Sequence, residues 1–254
     1  MTFADLFGQR APVIGVLDLP PLPGSLGFVA GATTLPVLRA RAVRDAEALS
    51  AGGCDAVLLR NGGDAPFAAD RVGPETVAAL TLVAAAVADR VPVAVGISVL
   101  RNDACAAVAI AALTGAQFVR IPVHYGAALT DDGLVEGHAD ETLRLRGALH
   151  SDVLLLADLT SRQAAEAAYG AYYHGLAHAL VLTRSLDDAA AVRAAAPEAP
   201  LLVACGLGRG ESVLGWRGAD GLFLDRWQFV GPEADPGEPL DAERVRAVLR
   251  GVGR

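Results

Sequence analysis

The chain has 254 residues, of which 53% are hydrophobic and 20% charged, and its formal net charge is −8. That apolar content excludes a disordered chain and suits one globular domain covering residues 1–254, while the acidic balance without a basic stripe argues against a nucleic-acid partner. All 21 basic residues are arginine, so chemistry through a lysine Schiff base, including a lysine-bound pyridoxal cofactor, is excluded.

The cysteines and the first residues indicate the compartment. Cys54, Cys105 and Cys205 form no CxxC pair, and a sparse, odd set is typical of a reducing compartment. The opening segment, MTFADLFGQR, lacks the basic residues and apolar run of a signal peptide. The longest apolar stretch, residues 104–113, is too short to cross a membrane. We therefore expect a cytoplasmic protein without membrane insertion.

Eight strand-like runs alternate with helix-like runs along the chain. The strand-like runs are near-continuous apolar segments, which are typical of parallel strands covered on both faces. They are residues 13–18, 56–60, 93–98, 118–122, 153–158, 179–183, 201–205 and 221–225. The predicted helices are residues 35–51, 74–89, 103–114, 136–149, 161–174, 185–195, 211–216 and 242–251.

This alternation predicts the fold class. A TIM barrel contains eight such units in about 250 residues, so we predict an α/β fold with a single (β/α)₈ barrel. An open doubly wound sheet is the alternative. Its first turn should be glycine-rich to cradle phosphate, whereas residues 19–24 read LPPLPG. The closed barrel is therefore favoured.

Polar or charged side chains follow nearly every predicted strand, and in a TIM barrel these positions surround one pocket. Asp18 and Asp158 end two of the strands and are candidate general acids or bases. His124 lies just past the fourth strand and is the candidate for proton transfer. The alternative interpretations are an internal salt-bridge network for the carboxylates and an exposed loop position for the histidine.

Four arginines near strand ends predict an anionic polar metabolite as the substrate, because guanidinium groups bind carboxylate or phosphate in a bidentate manner. The candidate substrate-binding residues are Arg60, Asn61, Arg101, Asn102, Asp103, Arg120, Thr130, Asp131, Glu136 and Arg226. Residues 206–210 (GLGRG) are a weak candidate for a phosphate loop, since Asp225 brings negative charge to the same end of the barrel. We expect no cofactor, although a Mg²⁺ ion held by Asp18, Asp158 and Asp225 remains an alternative.

Five segments, including residues 15–24 and 118–121, match a known protein family, and three of them are specific in combination. They are residues 60–67 (RNGGDAPF), 98–103 (SVLRND) and 130–137 (TDDGLVEG). With them, the chain resembles the BtpA/SgcQ family of TIM-barrel proteins, which implies a (β/α)₈ fold related to phosphate-binding barrels and no settled reaction. This chain has Asp18 where the family usually has His, and Arg60 where it usually has Glu. We therefore predict a retained scaffold and a changed substrate.

Three functions follow as hypotheses. The favoured one is a small-molecule enzyme, a lyase, isomerase or cyclase that uses carboxylate or histidine acid–base catalysis. The second is a non-catalytic assembly or biogenesis factor, as the BtpA name implies. The third is a hydrolase of phosphorylated sugars or nucleotides. Self-association into a homo-oligomer is expected only by analogy with other barrels.

Overall fold

Eight parallel strands form a closed barrel in the computed structural model, which describes residues 1–29, 33–130, 133–160, 163–183, 185–204, 218–231 and 238–253. In chain order the strands are β1 (Val13–Asp18), β2 (Ala56–Arg60), β3 (Ala94–Ser98), β4 (Phe118–Ile121), β5 (Ala127–Thr130), β6 (Gly133–Glu136), β7 (Leu154–Leu159), β8 (Ala179–Leu182), β9 (Leu201–Ala204) and β10 (Gly221–Leu224). β5 and β6 form a separate antiparallel hairpin. β1 pairs with both β2 and β10, so the predicted (β/α)₈ barrel is confirmed and the open sheet is excluded.

Apart from α1, which precedes β1, the helices of the described residues follow the strands. They are α1 (Phe3–Phe7), α2 (Leu35–Gly52), α3 (Pro74–Ala88), α4 (Ala104–Thr114), α5 (Ala139–Ala148), α6 (Ala164–Tyr169), α7 (Ala189–Ala195), α8 (Arg226–Val230) and α9 (Ala242–Gly251). Short 3₁₀ turns span Gly62–Asp64 and Leu186–Asp188, and a π-helical turn, Gly170–His174, continues α6. The predicted helix at residues 211–216 lies outside the described residues.

Local sequence explains several helix ends. Asp103 caps α4, because its carboxylate accepts a hydrogen bond from the Ala106 backbone N–H at 2.9 Å. α3 begins with Pro74. Proline lacks an N–H, and this costs nothing in the first turn of a helix, where an N–H would have no intrahelical acceptor. α4 ends at Gly115 with φ +76°, a conformation that glycine adopts without a Cβ clash. Asp103 and Pro74 end the loops that begin at the C-terminal ends of β3 and β2, whereas Gly115 leads into the N-terminal end of β4.

The core has two layers. One layer fills the barrel with side chains such as Val16, Leu58, Phe118 and Phe223, and a larger layer packs the outer strand faces against the helices. The Phe118 ring leaves no room for a side chain at Gly96 on the neighbouring strand β3. The interior is therefore a packed core, and any binding site must lie at the end of the barrel.

Helix α1 closes the N-terminal end of the barrel. The Phe7 ring lies 6.1 Å from the Phe118 ring and 4.9 Å from the Phe3 ring, measured between centroids. This short helix was not predicted, because five residues carry too little periodicity to distinguish a helix from a loop. The opposite, C-terminal end carries the charged strand ends.

The loop after β4 differs from the predicted structure. The sequence predicts a helix over residues 136–149, but Gly133–Glu136 is strand β6, and α5 begins only at Ala139. Ala128 and Val135 of the hairpin pack inward with Val123, and Gly133 adopts φ +107°. The four residues of β6 are too few for a clear alternating pattern, so the sequence could not distinguish them from the start of the adjoining helix.

No helix of the described residues combines the length and apolar character that crossing a membrane would require.

Candidate active site at the barrel mouth

Three strand ends meet through Arg60. Asp18 and Arg60 are direct neighbours in the pairing of β1 with β2, and the Arg60 guanidinium donates from Nε to Asp18 Oδ1 at 2.6 Å and from Nη2 to Oδ2 at 2.8 Å. Nη2 also donates to Asp225 Oδ1, just after β10, at 3.1 Å. One guanidinium thus binds two carboxylates, and the second of them, Asp225, lies 165 positions from Arg60 in the chain.

A second ion pair lies deeper in the mouth. Arg120 on β4 donates from Nε to Asp158 Oδ1 at 2.8 Å and from Nη2 to Oδ2 at 3.1 Å. Its guanidinium also lies 4.6 Å from the centre of the Phe223 ring, whose strand, β10, is opposite β4 in the barrel. The side chains of Arg120 and Asp158 are only 9% and 8% exposed, against 22% and 31% for Arg60 and Asp18.

These five residues act as one electrostatic unit, here called the mouth cluster: Asp18, Arg60, Arg120, Asp158 and Asp225. Burial opposes the charge of Arg60, but its bond to Asp18 and the charges of Asp18, Asp225 and Asp158 outweigh burial and raise its pKa. Burial raises the pKa of Asp158 as well, and the charge of Asp225 adds to the rise, while Arg120 and Arg60 oppose it. Three carboxylates face two guanidiniums, so full ionisation leaves one negative charge in excess.

A cavity of about 190 Å³ opens beside Asp158 and is here called the Asp158 cavity. Its wall combines Asp158 and Thr160 at the end of β7, Gln163 before α6, Glu166 and Ala167 of α6, Ala171, and residues 123–128 after β4. Two of the three predicted catalytic residues, Asp158 and His124, therefore line one cavity. The third, Asp18, joins them through the mouth cluster.

His124 is buried, with 2% of its surface exposed, so the exposed-loop alternative is wrong. Its Nε2 lies 2.7 Å from the Gly175 carbonyl oxygen, which can only accept, so we assign the proton to Nε2 and a lone pair to Nδ1. Nδ1 has no hydrogen-bond partner among the described atoms. Burial lowers the pKa of His124, although the bond to Gly175 opposes this, so the ring is neutral at pH 7.

Two glycines let the backbone close around His124. A Cβ atom at Gly137 would lie 2.6 Å from the carbonyl carbon of His124, and one at Gly175 would lie 2.7 Å from the Ala171 carbonyl oxygen. Both distances are below van der Waals contact, so a side chain at either position would displace backbone. The close approach fixes the loop after β4 against the π-helical turn.

The asparagines predicted to bind substrate hold loops instead. Asn61 accepts from the Leu100 N–H at 2.7 Å and donates to the Leu100 carbonyl at 3.2 Å. Asn102 accepts from the Val123 N–H at 2.9 Å and donates to the carbonyls of Val123 and Glu136 at 2.9 and 3.0 Å. Both amides are buried and bonded to backbone. We assign them to positioning of the loops after β2, β3 and β4.

Asp103 and Arg101 lie near each other in sequence but differ in their contacts. Asp103 accepts from the Val72 N–H at 3.0 Å in addition to its cap of α4, so its carboxylate is occupied by backbone. The Arg101 guanidinium lies 5.2 Å from the centre of the Phe67 ring, outside the ion pairs of the mouth cluster. Substrate binding by Arg101 stays a prediction.

Arg226 does not join the mouth cluster. Its Nη1 lies 3.5 Å from Asp45 Oδ2 on α2, and its Nη2 donates to the Glu238 carbonyl. Asp45 is 1% exposed and also binds Arg44. The reason is that α8 begins at Arg226 and turns its side chain outward, while the preceding Asp225 faces the mouth. Arg226 therefore leaves the candidate site.

The remaining predicted residues belong to the hairpin. Thr130 donates to the Gly133 carbonyl at 3.0 Å, and the side chain of Glu136 is exposed. Asp131 lies outside the described residues, as do Cys205 and the glycine-rich residues 206–210. The hairpin stands beside the Asp158 cavity, since β5 begins with cavity-lining Ala127 and Ala128.

The geometry gives no support to a metal centre in the described part of the chain. No group of three His, Cys, Asp or Glu side chains has a metal-binding arrangement there. The three carboxylates considered for Mg²⁺ instead bind guanidiniums, Asp18 and Asp225 through Arg60 and Asp158 through Arg120. The expected absence of a cofactor and the Mg²⁺ alternative both stay predictions.

Of the lining residues that were not predicted from sequence, an aromatic and an acidic one have chemical interest, Tyr125 and Glu166. Tyr125 directly follows His124, and its exposed ring stacks on His174 at 5.8 Å between centroids. Glu166 lies on α6, where an exposed acidic residue in the first turn has an ordinary helix-stabilising interpretation. Proximity to His124 could have indicated Tyr125, whereas Glu166 carries no signal in the sequence.

Comparisons with known proteins agree with this architecture. The model of the BtpA family matches residues 9–254. The "Photosystem I biogenesis protein BtpA" of Synechocystis sp. is 45% identical over 65% of this chain, and the alignment spans 56% of that protein's length. An uncharacterized protein of Archaeoglobus fulgidus is 35% identical over 94% of this chain and 97% of its own.

Among solved structures, 2-keto-3-deoxy-6-phospho-gluconate aldolase from Zymomonas mobilis is similar with a TM-score of 0.56. The match covers 99% of this chain and 96% of the aldolase at 15% sequence identity. At that identity the similarity shows the fold alone.

Proposed function

Because the chain belongs to the BtpA family and folds as a closed (β/α)₈ barrel, we propose that it is an enzyme that carries out acid–base chemistry on a small polar metabolite at the barrel mouth. A lyase, isomerase or cyclase reaction suits this chemistry, since each needs a proton removed from one atom and delivered to another. The observation that carries the proposal is the Asp158 carboxyl, buried on the wall of a cavity within a cluster that has a carboxylate in excess.

Asp158 is the proposed proton-transfer group. Its raised pKa brings the protonated and ionised forms closer in free energy at neutral pH, as a general acid or base requires. Arg120 holds both carboxylate oxygens and so fixes the direction of their free lone pairs. Asp18 is the second candidate for proton transfer, since its side chain is the most exposed of the three carboxylates in the mouth cluster.

His124 has a narrower role in this proposal. Its neutral ring and its Nε2–H bond to Gly175 favour a positioning role for the cavity wall. A proton on Nδ1 would place a charge in a site with 2% exposure. We therefore place proton transfer on the carboxylates, with His124 as a neutral acceptor beside them.

The anionic substrate expected from the sequence stays a prediction. Arg60 and Arg120 already bind carboxylates of the protein, and Arg226 binds Asp45. An anion would have to displace Asp18 or Asp158 to bind the first two. Cytoplasmic location and self-association likewise stay predictions.

The test is turnover in deuterium oxide. The protein is incubated with a panel of polar metabolites, and mass spectrometry detects conversion or exchange of a carbon-bound hydrogen. Asp158→Asn should lower the rate by about 10²- to 10⁴-fold, and Asp18→Asn should lower it less. The exposed Asp140→Asn is the matched control and should leave the rate unchanged. Full turnover in Asp158→Asn would remove this residue from the chemistry.

A biogenesis role is the second candidate, favoured by the 45% identity to the Synechocystis protein. The hairpin supports it, because the cross-strand pair Leu129 and Leu134 is 84% and 65% exposed, as expected of a surface that meets a partner. The decisive experiment is rescue of photosystem I level in a cyanobacterium lacking its own BtpA protein. An assembly role would be favoured over catalysis if the double variant Leu129→Ser, Leu134→Ser fails to rescue and Asp158→Asn still rescues.

A further inference from the structure

The charged side chains that line the Asp158 cavity within the described residues are all carboxylates. Asp158 lies at the end of β7 and Glu166 on α6, and among the residues that the structure describes, which exclude 161–162, no arginine lines this wall. Arg120 balances the charge of Asp158, whereas Glu166 has no ion pair with any residue of the described ranges. A ligand in the cavity therefore meets a negative potential, which opposes an anion and favours a cation or a neutral hydrogen-bond donor.

A second, independent observation points the same way. His124 lines the cavity, and its Nδ1 is an acceptor without a donor although 98% of the residue's surface is buried, since only 2% is exposed. The opposite edge of the ring faces Gly175, because Nε2 donates to the Gly175 carbonyl. A buried acceptor left unpaired is unfavourable, and a donor supplied by a ligand would remove that penalty.

The size and walls of the cavity limit the ligand further. A volume of about 190 Å³ corresponds to about six water molecules at roughly 30 Å³ each. Val123, Ala128, Ala167 and Ala171 supply small apolar wall surface between the acceptors. The space suits a short carbon skeleton with hydroxyl or amine substituents.

We propose that the Asp158 cavity binds the donor-rich end of the substrate, a protonated amine or a polyol, and does not bind a phosphate group. The inference rests on the proposed function in taking this mouth as the substrate site. Asp158, Glu166 and His124, whose free polar atoms are acceptors, line the cavity from three different elements. A phosphate would present only acceptors and negative charge to them.

Three probes with the same three-carbon skeleton test the proposal: 3-amino-1,2-propanediol, glycerol and glycerol 3-phosphate. Their dissociation constants are measured at pH 7 and fixed ionic strength by NMR titration of the full-length protein labelled with ¹⁵N. The amine should bind tightest and glycerol 3-phosphate weakest. Glu166→Gln should weaken the amine by about fivefold, the size of one partly exposed ion pair, and should leave glycerol unchanged.

Two further variants separate the cavity from the rest of the surface. Ala167→Leu fills the space without altering charge and should weaken both the amine and glycerol. Glu243→Gln on α9 is the matched control, since it removes an exposed carboxylate far from the cavity wall, and it should change nothing.

The proposal is overturned if glycerol 3-phosphate binds tightest, if neither the amine nor glycerol binds, or if Glu166→Gln and Ala167→Leu both leave amine binding unchanged. Because these measurements report binding without turnover, such a result refutes the ligand class alone. The acid–base proposal is judged separately by the turnover of Asp158→Asn.

Discussion

Two clusters of arginine and aspartate in this protein differ in which charge is in excess. The mouth cluster has three carboxylates for two guanidiniums and lies beside a cavity. Among the described residues, an outer cluster between α2 and α8 has one carboxylate, Asp45, within 4.0 Å of three guanidiniums, those of Arg41, Arg44 and Arg226. Both clusters consist of arginine and aspartate side chains. Asp225 belongs to the mouth cluster, whereas the next residue, Arg226, belongs to the outer cluster.

The sign of the excess decides what each cluster can do. A carboxylate in excess can take up a proton, whereas a guanidinium in excess cannot release one in a protein. The outer cluster therefore fastens elements together: Asp45 also accepts from the Leu240 N–H at 3.2 Å, which ties the segment before α9 to α2. Of these two clusters of described residues, the mouth cluster has the composition for proton transfer.

The largest stability effect is expected from breaking the outer cluster. Asp45 is 1% exposed, and Asp45→Ala would leave Arg226 buried without its carboxylate. We expect the free energy of unfolding to fall by about 3–5 kcal/mol, as for other broken buried ion pairs. Urea denaturation measures the change, with the exposed Asp140→Ala as the control. A loss below about 1 kcal/mol would contradict a fastening role.

Breaking the mouth cluster should affect stability less and in a pH-dependent way. Because burial raises the folded-state pKa of Asp158 above its ordinary value of 3.8, the folded chain binds this proton more tightly than the unfolded chain. The contribution of Asp158 to stability is therefore complete below pH 3.8 and is lost as pH rises through the folded-state pKa.

The check compares wild type with Asp158→Asn by urea denaturation at pH 4 and pH 7. Asn lacks the titration but keeps an acceptor for Arg120, so the variant should lie within about 1 kcal/mol of wild type at pH 7. At pH 4 the free energy of unfolding of wild type should rise relative to that of the variant. A wild-type advantage that instead grows as pH rises would mean that Arg120 lowers the pKa of Asp158.

The smallest effect is expected where an ion pair belongs to neither cluster. Arg71 Nη2 lies 2.7 Å from Glu141 Oε2, but the two side chains are 70% and 45% exposed. Glu141→Gln should change the free energy of unfolding by less than about 0.5 kcal/mol, because solvent and salt screen the pair. A loss comparable to that of Asp45→Ala would show that burial does not set the ranking.

The strands could be predicted from sequence because their signal is local. Each barrel strand is an apolar run, and the polar residue at its end faces the mouth wherever the chain stays extended, as at Asp18 and Arg60. The hairpin β5–β6 and the helix α1 were missed, since four or five residues carry too little periodicity. Boundaries failed where glycines bend the chain, as at Gly133.

The partners of the charged residues could not be predicted. Sequence places Arg226 one residue after Asp225 but does not show that α8 begins between them and separates their side chains. It also marks Asn61 and Asn102 as polar residues near strand ends without showing that backbone groups occupy both amides. Such contacts join segments tens of residues apart and depend on the folded barrel.

We infer that the mouth cluster retains a proton on Asp158 more tightly than an ordinary carboxyl does. The most direct measurement is the pKa of the Asp158 carboxyl group. The ¹³C chemical shift of its carboxyl carbon is followed by NMR from pH 3 to pH 8, and the signal is assigned by its loss in Asp158→Asn. We expect a midpoint above the ordinary value of 3.8. A midpoint at or below 3.8 would show that Arg120 merely neutralises Asp158, and the mouth would then be a structural ion-pair network.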